Sequence, residues 1–197
     1  MIKAIIFDWG GVLIENHDKE RYEIMAKTFK TSYKKFTDYY SKVNSALTKG
    51  LVEESKFWAS IAQFFNTKIL SNRRLEVETL MATYKENTDI IELVKLIKKK
   101  GYKIVLLSNT DEYSARFFLD KYPDLFNKTI FSCRVHSRKP EKEIYLKTLD
   151  ILQLNSDEMV FIDDKQINID VAKELGFNTI LFINTEQFKA DLNKFLQ

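Results

Sequence analysis

The sequence predicts a doubly wound α/β fold interrupted by an all-helical insert. Five brief apolar runs read as strands, helical patterns alternate with the last four, and the stretch from about 16 to 87 holds no strand-like run. Strands alternating with helices argue a parallel sheet, and runs that are hydrophobic nearly throughout argue burial on both faces.

The first run, 2–7 (IKAIIF), leads straight into Asp8 and a pair of glycines, Gly10 and Gly11. Four amphipathic patterns follow: Tyr22, Met25, Ala26, Phe29; Phe36, Tyr40, Val43, Leu47; Phe57, Ile61, Phe64, Phe65; and Val77, Leu80, Met81, Tyr84. Three- and four-residue steps give each one apolar face, and four such helices can close a small bundle on one another. Their aromatic stripes read as bundle core rather than as a ligand box, with Gly50 and Asn72 at turns. The stripe Ile90, Leu93, Val94, Ile97 is closed by three lysines and Gly101, a basic last turn with a glycine stop. The runs 103–107, 128–132, 159–162 and 178–183 then alternate with helical patterns at 111–121, 141–152 and 165–175. The division expected is an α/β core of 1–15 and 88–197 carrying a helical cap of 16–87.

The chain of 197 residues is 45% hydrophobic and 30% charged, a globular profile, and 31 basic against 28 acidic residues are mixed along it. That balance argues against nucleic acid or membrane as a partner. No apolar run is long enough for a transmembrane helix, and no signal peptide is read at the N-terminus. The single Cys133 excludes an internal disulfide, fits a cytoplasmic location, and reads as a small strand residue.

In an open parallel sheet, ligands bind at the carboxyl ends of the strands. Asp8 follows the first run, Ser108-Asn109-Thr110 the second and Asp163-Asp164 the fourth; Arg138-Lys139-Pro140 lies in the loop after the third. Each alone has an ordinary explanation: Ser108, Asn109 or Thr110 as a helix cap, Lys139 as a surface lysine, the aspartate pair as a loop. Together, at successive strand ends, they suit phosphoryl transfer. Three carboxylates in one crevice need a cation among them, and oxygen ligands of this kind suit Mg²⁺. Ser108 and Asn109 can donate to phosphate oxygens, Lys139 can neutralise their charge, and a carboxylate held in line can attack phosphorus.

These pieces, "FDWGGVL" (7–13), "LLSNT" (106–110), "RKPEKEIY" (138–145) and "FIDDKQINIDVAKELG" (161–176), resemble the motifs of the haloacid dehalogenase superfamily in their order. The likeness is to its phosphatase branch with an inserted helical cap. It implies a five-stranded sheet ordered 5-4-1-2-3, with Asp8 as nucleophile and Ser108 and Lys139 on the phosphoryl group. It implies Mg²⁺ held by Asp8, the Gly10 carbonyl and Asp163, with Asp164 just outside and Asn168 bracing the acidic loop. The implied substrate is a small phosphorylated metabolite, and the expected assembly a monomer or homodimer. One position departs from the pattern. Most phosphatases of the superfamily carry a second aspartate, a general acid and then base, where Gly10 stands. Relatives with glycine there include some that resemble sugar-phosphate phosphatases. The carbonyl ligand survives the change and the proton donor does not. Glu15, Asn16 and His17 lie near enough to face the site, though His17 reads as a hinge or surface residue. Two rival readings are a metal-independent dehalogenase, which needs no acid, and a non-catalytic phospho-ligand binder.

Overall fold

The computed structural model describes residues 1–70 and 72–196. Strands β1 (Ala4–Phe7), β2 (Lys103–Ser108), β3 (Lys128–Phe131), β4 (Met159–Asp163) and β5 (Asn178–Leu181) form one parallel sheet ordered β3-β2-β1-β4-β5. This is the expected 5-4-1-2-3 order, with β1 central. Alternation along each strand sends Ile5 and Phe7, Ile104 and Leu106, Val160 and Ile162 to one face. Ala4 and Ile6, Val105 and Leu107, Met159 and Phe161 go to the other. Both faces are apolar because helices cover both: α5 (Thr88–Lys99) and α6 (Glu112–Lys121) on the first, α8 (Lys142–Leu152) and α9 (Gln166–Glu174) on the second.

Between β1 and α5 lies the helical insert, with α1 (Asp18–Thr28), α2 (Tyr33–Thr48), α3 (Glu54–Phe64) and α4 (Leu75–Thr83). It has its own core, in which Met25, Phe29, Phe36, Tyr40, Trp58 and Ile61 are buried. Phe36 stacks on Phe29 and on Tyr40, and Tyr40 in turn on Trp58. Two short segments join insert to core and are zipped together: Glu15 N–H donates to Lys85 and Asn87 N–H to Leu13.

The structure corrects several expectations. Strands β3 and β5 end at Phe131 and Leu181, and Cys133 sits on the short helix α7 (Ser132–Val135) instead of on a strand. Phe64, expected in the bundle core, ends its helix 58% exposed, lying flat on the Tyr39 ring. Helix α4 buries Leu75, Glu76, Thr79 and Leu80, while Met81 is 59% exposed. Its inner face is therefore rotated from the apolar stripe and includes a carboxylate. A last helix, α10 (Thr185–Leu192), had no counterpart in the periodic patterns; it seals the sheet with Phe188, packed edge-on against Phe7.

Helix α2 stops where the insert meets the core. Leu51 N–H bonds the Ala46 carbonyl and Gly50 N–H that of Leu47, a Schellman ending that needs the left-handed φ of +65° at Gly50. A Cβ on Gly50 would lie 2.2 Å from the Cys133 carbonyl oxygen, a backbone atom that cannot swing aside. Gly50→Ala is therefore expected to destabilise the protein by roughly 1–3 kcal/mol in denaturant unfolding. An unchanged midpoint would mean that the insert sits clear of α7.

Candidate active site

The parallel register places the ends of β1 and β4 side by side: Phe7 pairs with Ile162, and Asp8 N–H continues the ladder to the Ile162 carbonyl at 2.9 Å. Asp8 and Asp163 are thus forced to share one buried spot. Lys139 joins them, its Nζ 2.8 Å from Asp8 Oδ1 and 2.7 Å from Asp163 Oδ2. At 2% exposure it is no surface lysine. Its backbone is clamped by Asn109, whose Nδ2 donates to the Lys139 carbonyl at 2.7 Å and whose Oδ1 accepts from the Lys139 N–H at 2.8 Å. That clamp takes Oδ1 and one Nδ2 hydrogen of Asn109, so what it can offer an anion is its second Nδ2 hydrogen and its backbone N–H.

Helix capping does not use up the other residues. Asp111 caps α6, accepting from the N–H groups of Tyr113 and Ser114. Thr110 is tied by its N–H to the Ser132 hydroxyl. Ser108 lines the cavity beside Asp8, its hydroxyl without a protein partner among the described residues. Asn168 does brace the acidic loop: its Nδ2 and the Lys165 N–H both donate to Asp163 Oδ1 at 2.9 Å.

Asp8 Oδ1 takes the Trp9 N–H at 2.7 Å as well as Lys139, and among the described residues no donor reaches Oδ2. Burial pushes the Asp8 carboxyl up to about 7; Lys139 opposes the rise and the Asp163 charge adds to it. Burial works against ionised Asp163 as well, but Lys139, Asn168 and the Lys165 N–H outweigh it and hold its pKa below the ordinary range. Desolvation likewise opposes the Lys139 ammonium, and the two carboxylates overcome it, raising its pKa. Asp164 is raised by burial.

Oxygens of Asp8, Asp163 and Asp164 lie within 4.8 Å of one another. Two ammonium groups, the buried Lys139 and the nearby Lys165, face three carboxylates, and among the described residues Asp164 Oδ1 is buried with no hydrogen-bond partner. Among the described residues the Gly10 carbonyl also accepts no backbone hydrogen bond. An all-oxygen donor set of this charge fits Mg²⁺. Gly11, at a φ of +83°, brings the first loop against the last: a Cβ there would lie 2.2 Å from Asp164 Oδ2.

Above the carboxylates is a cavity of about 170 Å³ whose far wall comes from the insert. Periodicity concealed that wall. Glu76, 6% exposed, accepts from Arg21 Nη2 at 2.6 Å through Oε2 and from the Tyr40 hydroxyl through Oε1. Arg138, beside Lys139, donates to Asn44 Oδ1 of α2 at 2.9 Å. Of the residues near the first loop, Glu15 is paired with Lys85 at 2.5 Å and Asn16 Nδ2 reaches Asp164 Oδ2 at 3.5 Å. His17 sits at the head of α1 between Glu15 and Glu20. A buried carboxylate paired across 55 residues leaves no local trace; the one available signal was a Glu on the apolar side of the α4 pattern.

The haloacid dehalogenase-like hydrolase family model matches residues 2–176, and the chain belongs to that family. It is 27% identical over 210 residues to the D-ribitol-5-phosphate phosphatase of Bacteroides thetaiotaomicron, spanning 100% of this chain and 99% of that protein. It is 26% identical over 190 residues to the phosphorylated carbohydrates phosphatase of Thermotoga maritima, spanning 91% and 84%. Among solved structures, a HAD family enzyme from Bacteroides thetaiotaomicron, in complex with magnesium and inorganic phosphate, superposes with a TM-score of 0.77 at 26% identity. That match covers 91% of this chain and 93% of the other. No helix among the described residues is long and apolar enough to cross a membrane.

Burial pushes Glu76 from 4.5 up to about 7; Arg21 offsets part of the rise, and Asp111 and Asp18 add to it. Between those values the folded chain holds a proton that the unfolded chain has released. Stability from this group therefore falls as pH rises through the window and stays low above it. The shift corresponds to about 3 kcal/mol. Asp8 and Glu54 act in the same sense, so the informative quantity is the difference between two proteins. Between pH 5 and pH 8, Glu76→Gln is expected to gain about 2.5 kcal/mol on the wild type in denaturant unfolding. A difference independent of pH would show that Glu76 titrates as an ordinary glutamate.

Proposed function

We propose that the protein is an Mg²⁺-dependent phosphatase that hydrolyses small phosphorylated metabolites through an aspartyl-phosphate at Asp8. The observation that carries this reading is the Asp8 carboxylate. One oxygen is fixed by Lys139 and the Trp9 N–H, the other is free of protein donors among the described residues, and both lie beside two further aspartates. The bound metal, held by Asp8, Asp163 and the Gly10 carbonyl with Asp164 alongside, would supply positive charge to the phosphoryl oxygens. Lys139, the Ser108 hydroxyl and the Asn109 N–H orient that group. Asp8 attacks phosphorus, an O–P bond forms as the ester P–O bond breaks, and the leaving oxygen takes its proton from solvent. Water then attacks the aspartyl-phosphate, releasing phosphate and regenerating Asp8.

Residues 1–15 and 88–197 form the catalytic core in this reading, and 16–87 the cap that chooses substrates. A cavity of about 170 Å³ favours small substrates, because drug-sized ligands usually occupy about 300–1,000 Å³. The phosphorylated carbohydrate and ribitol phosphate handled by the two relatives support a sugar or polyol phosphate. Dehalogenation would tolerate Gly10, since halide needs no proton, but it gives three clustered carboxylates no purpose.

Asp8→Asn is expected to abolish phosphate release while the unfolding transition persists, because an amide is no nucleophile. Excess EDTA should stop the wild type and added Mg²⁺ restore it. Turnover surviving either treatment would remove the nucleophile or the metal from the scheme, and fluoride release from a fluorinated haloacid would favour the dehalogenase.

Gly10 makes a second test possible. A Cβ there meets nothing within 4 Å, and Gly10 is absent from the left-handed region, so an aspartate can be accommodated. A positioned acid contributes about 10²–10⁴ in rate, most where the leaving group is a poor one. Gly10→Asp is expected to speed alkyl phosphates more than aryl phosphates, and wild type to favour good leaving groups such as sugar 1-phosphates. Equal effects on both classes would mean that another side chain already delivers the proton.

A further inference from the structure

We propose that Arg21, Tyr40 and Glu76 form a wall that reads the hydroxyl groups of an uncharged polyol or sugar chain carried on the phosphate, and that this wall disfavours substrates with a second anionic group. The inference rests on the phosphatase reading above and assigns its specificity to three side chains.

The three residues come from α1, α2 and α4, the three helices of the insert that frame the cavity, and all line the space that Asp8 lines from the opposite side. A substrate whose phosphorus meets Asp8 extends towards them.

A carboxylate and a guanidinium in this interior gain little over apolar side chains of similar volume, since desolvation consumes most of their attraction. Folding alone would be served by a leucine or methionine at position 76, which is 6% exposed and packed among helices. The ion pair therefore answers to something other than stability.

An ionised carboxylate accepts at about four lone-pair sites. Glu76 uses one oxygen for Arg21 and the other for Tyr40, leaving acceptor capacity on both. Arg21 keeps 19% side-chain exposure while its Nη2 holds Glu76, and its Nη1 is 3.8 Å from Asp18. Acceptors and donors side by side are what a chain of hydroxyls, each both donor and acceptor, can satisfy.

Charge gives the discrimination. The arginines of this wall, Arg21 and Arg138, face Asp18, Glu76 and Asp111 around the same cavity. Arg138 is held there by a neutral partner, Asn44 Oδ1, but three acids against two arginines leave the wall no net positive charge for a second phosphate or a carboxylate.

The test compares kcat/KM for C4–C6 polyol and sugar phosphates, ribitol 5-phosphate among them, with ethyl phosphate and 2-phosphoglycolate. Wild type should prefer the polyol class. Glu76→Gln should lower the polyol-over-ethyl preference by about 10- to 100-fold, mainly through KM, because hydrogen bonds to a charged group are lost. Calorimetry in the Asp8→Asn background should show the same weakening for ribitol 5-phosphate, with a much smaller change for inorganic phosphate. Tyr40→Phe, which removes one hydroxyl, should move the ratio in the same direction and carries the test if Glu76→Gln fails to fold. A wild type that prefers ethyl phosphate or 2-phosphoglycolate, or variants that lose equally on all esters, would overturn the inference while leaving a phosphatase. A wild type that hydrolyses no ester in the panel would overturn the phosphatase reading itself, and this inference with it.

Discussion

One ammonium between two buried carboxylates organises this molecule. Parallel pairing of β1 with β4 makes Asp8 and Asp163 neighbours, and two such charges cannot be buried together without a cation. Lys139 supplies it, and the loop carrying Lys139 is accordingly held on every side. Asn109 clamps its backbone, while its neighbour Arg138 reaches Asn44 on the insert. The same loop region anchors the end of α2: the Ser132 hydroxyl donates to the Thr48 carbonyl, the His136 ring bonds the Lys49 carbonyl, and Lys49 pairs with Glu141. The lysine is therefore placed by the core and by the insert at once. Moving the insert at this seam moves the residues flanking the cation on which the carboxylate pair depends.

The sheet was legible in the sequence because each strand is a short apolar run and the site residues other than Lys139 directly follow one. Burial on both faces removes ambiguity about which way the strands point, and the polar residues that break the apolar runs mark one edge. The insert was legible as helices, since three- and four-residue steps survive whatever the helices pack against. Its inner faces were less so. Periodicity places a glutamate outside by default, and Glu76 is inside because Arg21 and Tyr40, distant in sequence, meet it there. Asn109 shows the same limit. Its residue type suited a phosphate as well as a backbone, and only the position of the Lys139 loop decides between them. Phe64 is apolar enough for a core but lies at a helix end that the core does not reach.

Gly10 shows how backbone and side-chain duties separate at one position. The carbonyl that can serve a cation belongs to every residue, so a glycine keeps it, and the carboxyl that would move a proton is lost alone. Two nearby carboxyls do not restore it. Glu15 is bound to Lys85, which holds its carboxyl below the ordinary range, so at neutral pH it has no proton to give. Burial pushes Glu76 up to about 7, but it lies across the cavity accepting from both Arg21 and Tyr40, contacts that suit its ionised form and not a proton donor. The magnitudes explain how such a site can still be an enzyme. A general acid accounts for about 10²–10⁴ of a rate enhancement that spans typically 10⁶–10¹⁷ and reaches about 10²¹ for phosphate monoesters. In the proposed phosphatase the larger share would come from positive charge fixed around the phosphoryl group, by Lys139 and by a cation that Asp8, Asp163 and Asp164 could hold. In the proposed phosphatase, losing the acid would therefore narrow the range of leaving groups before it removed catalysis.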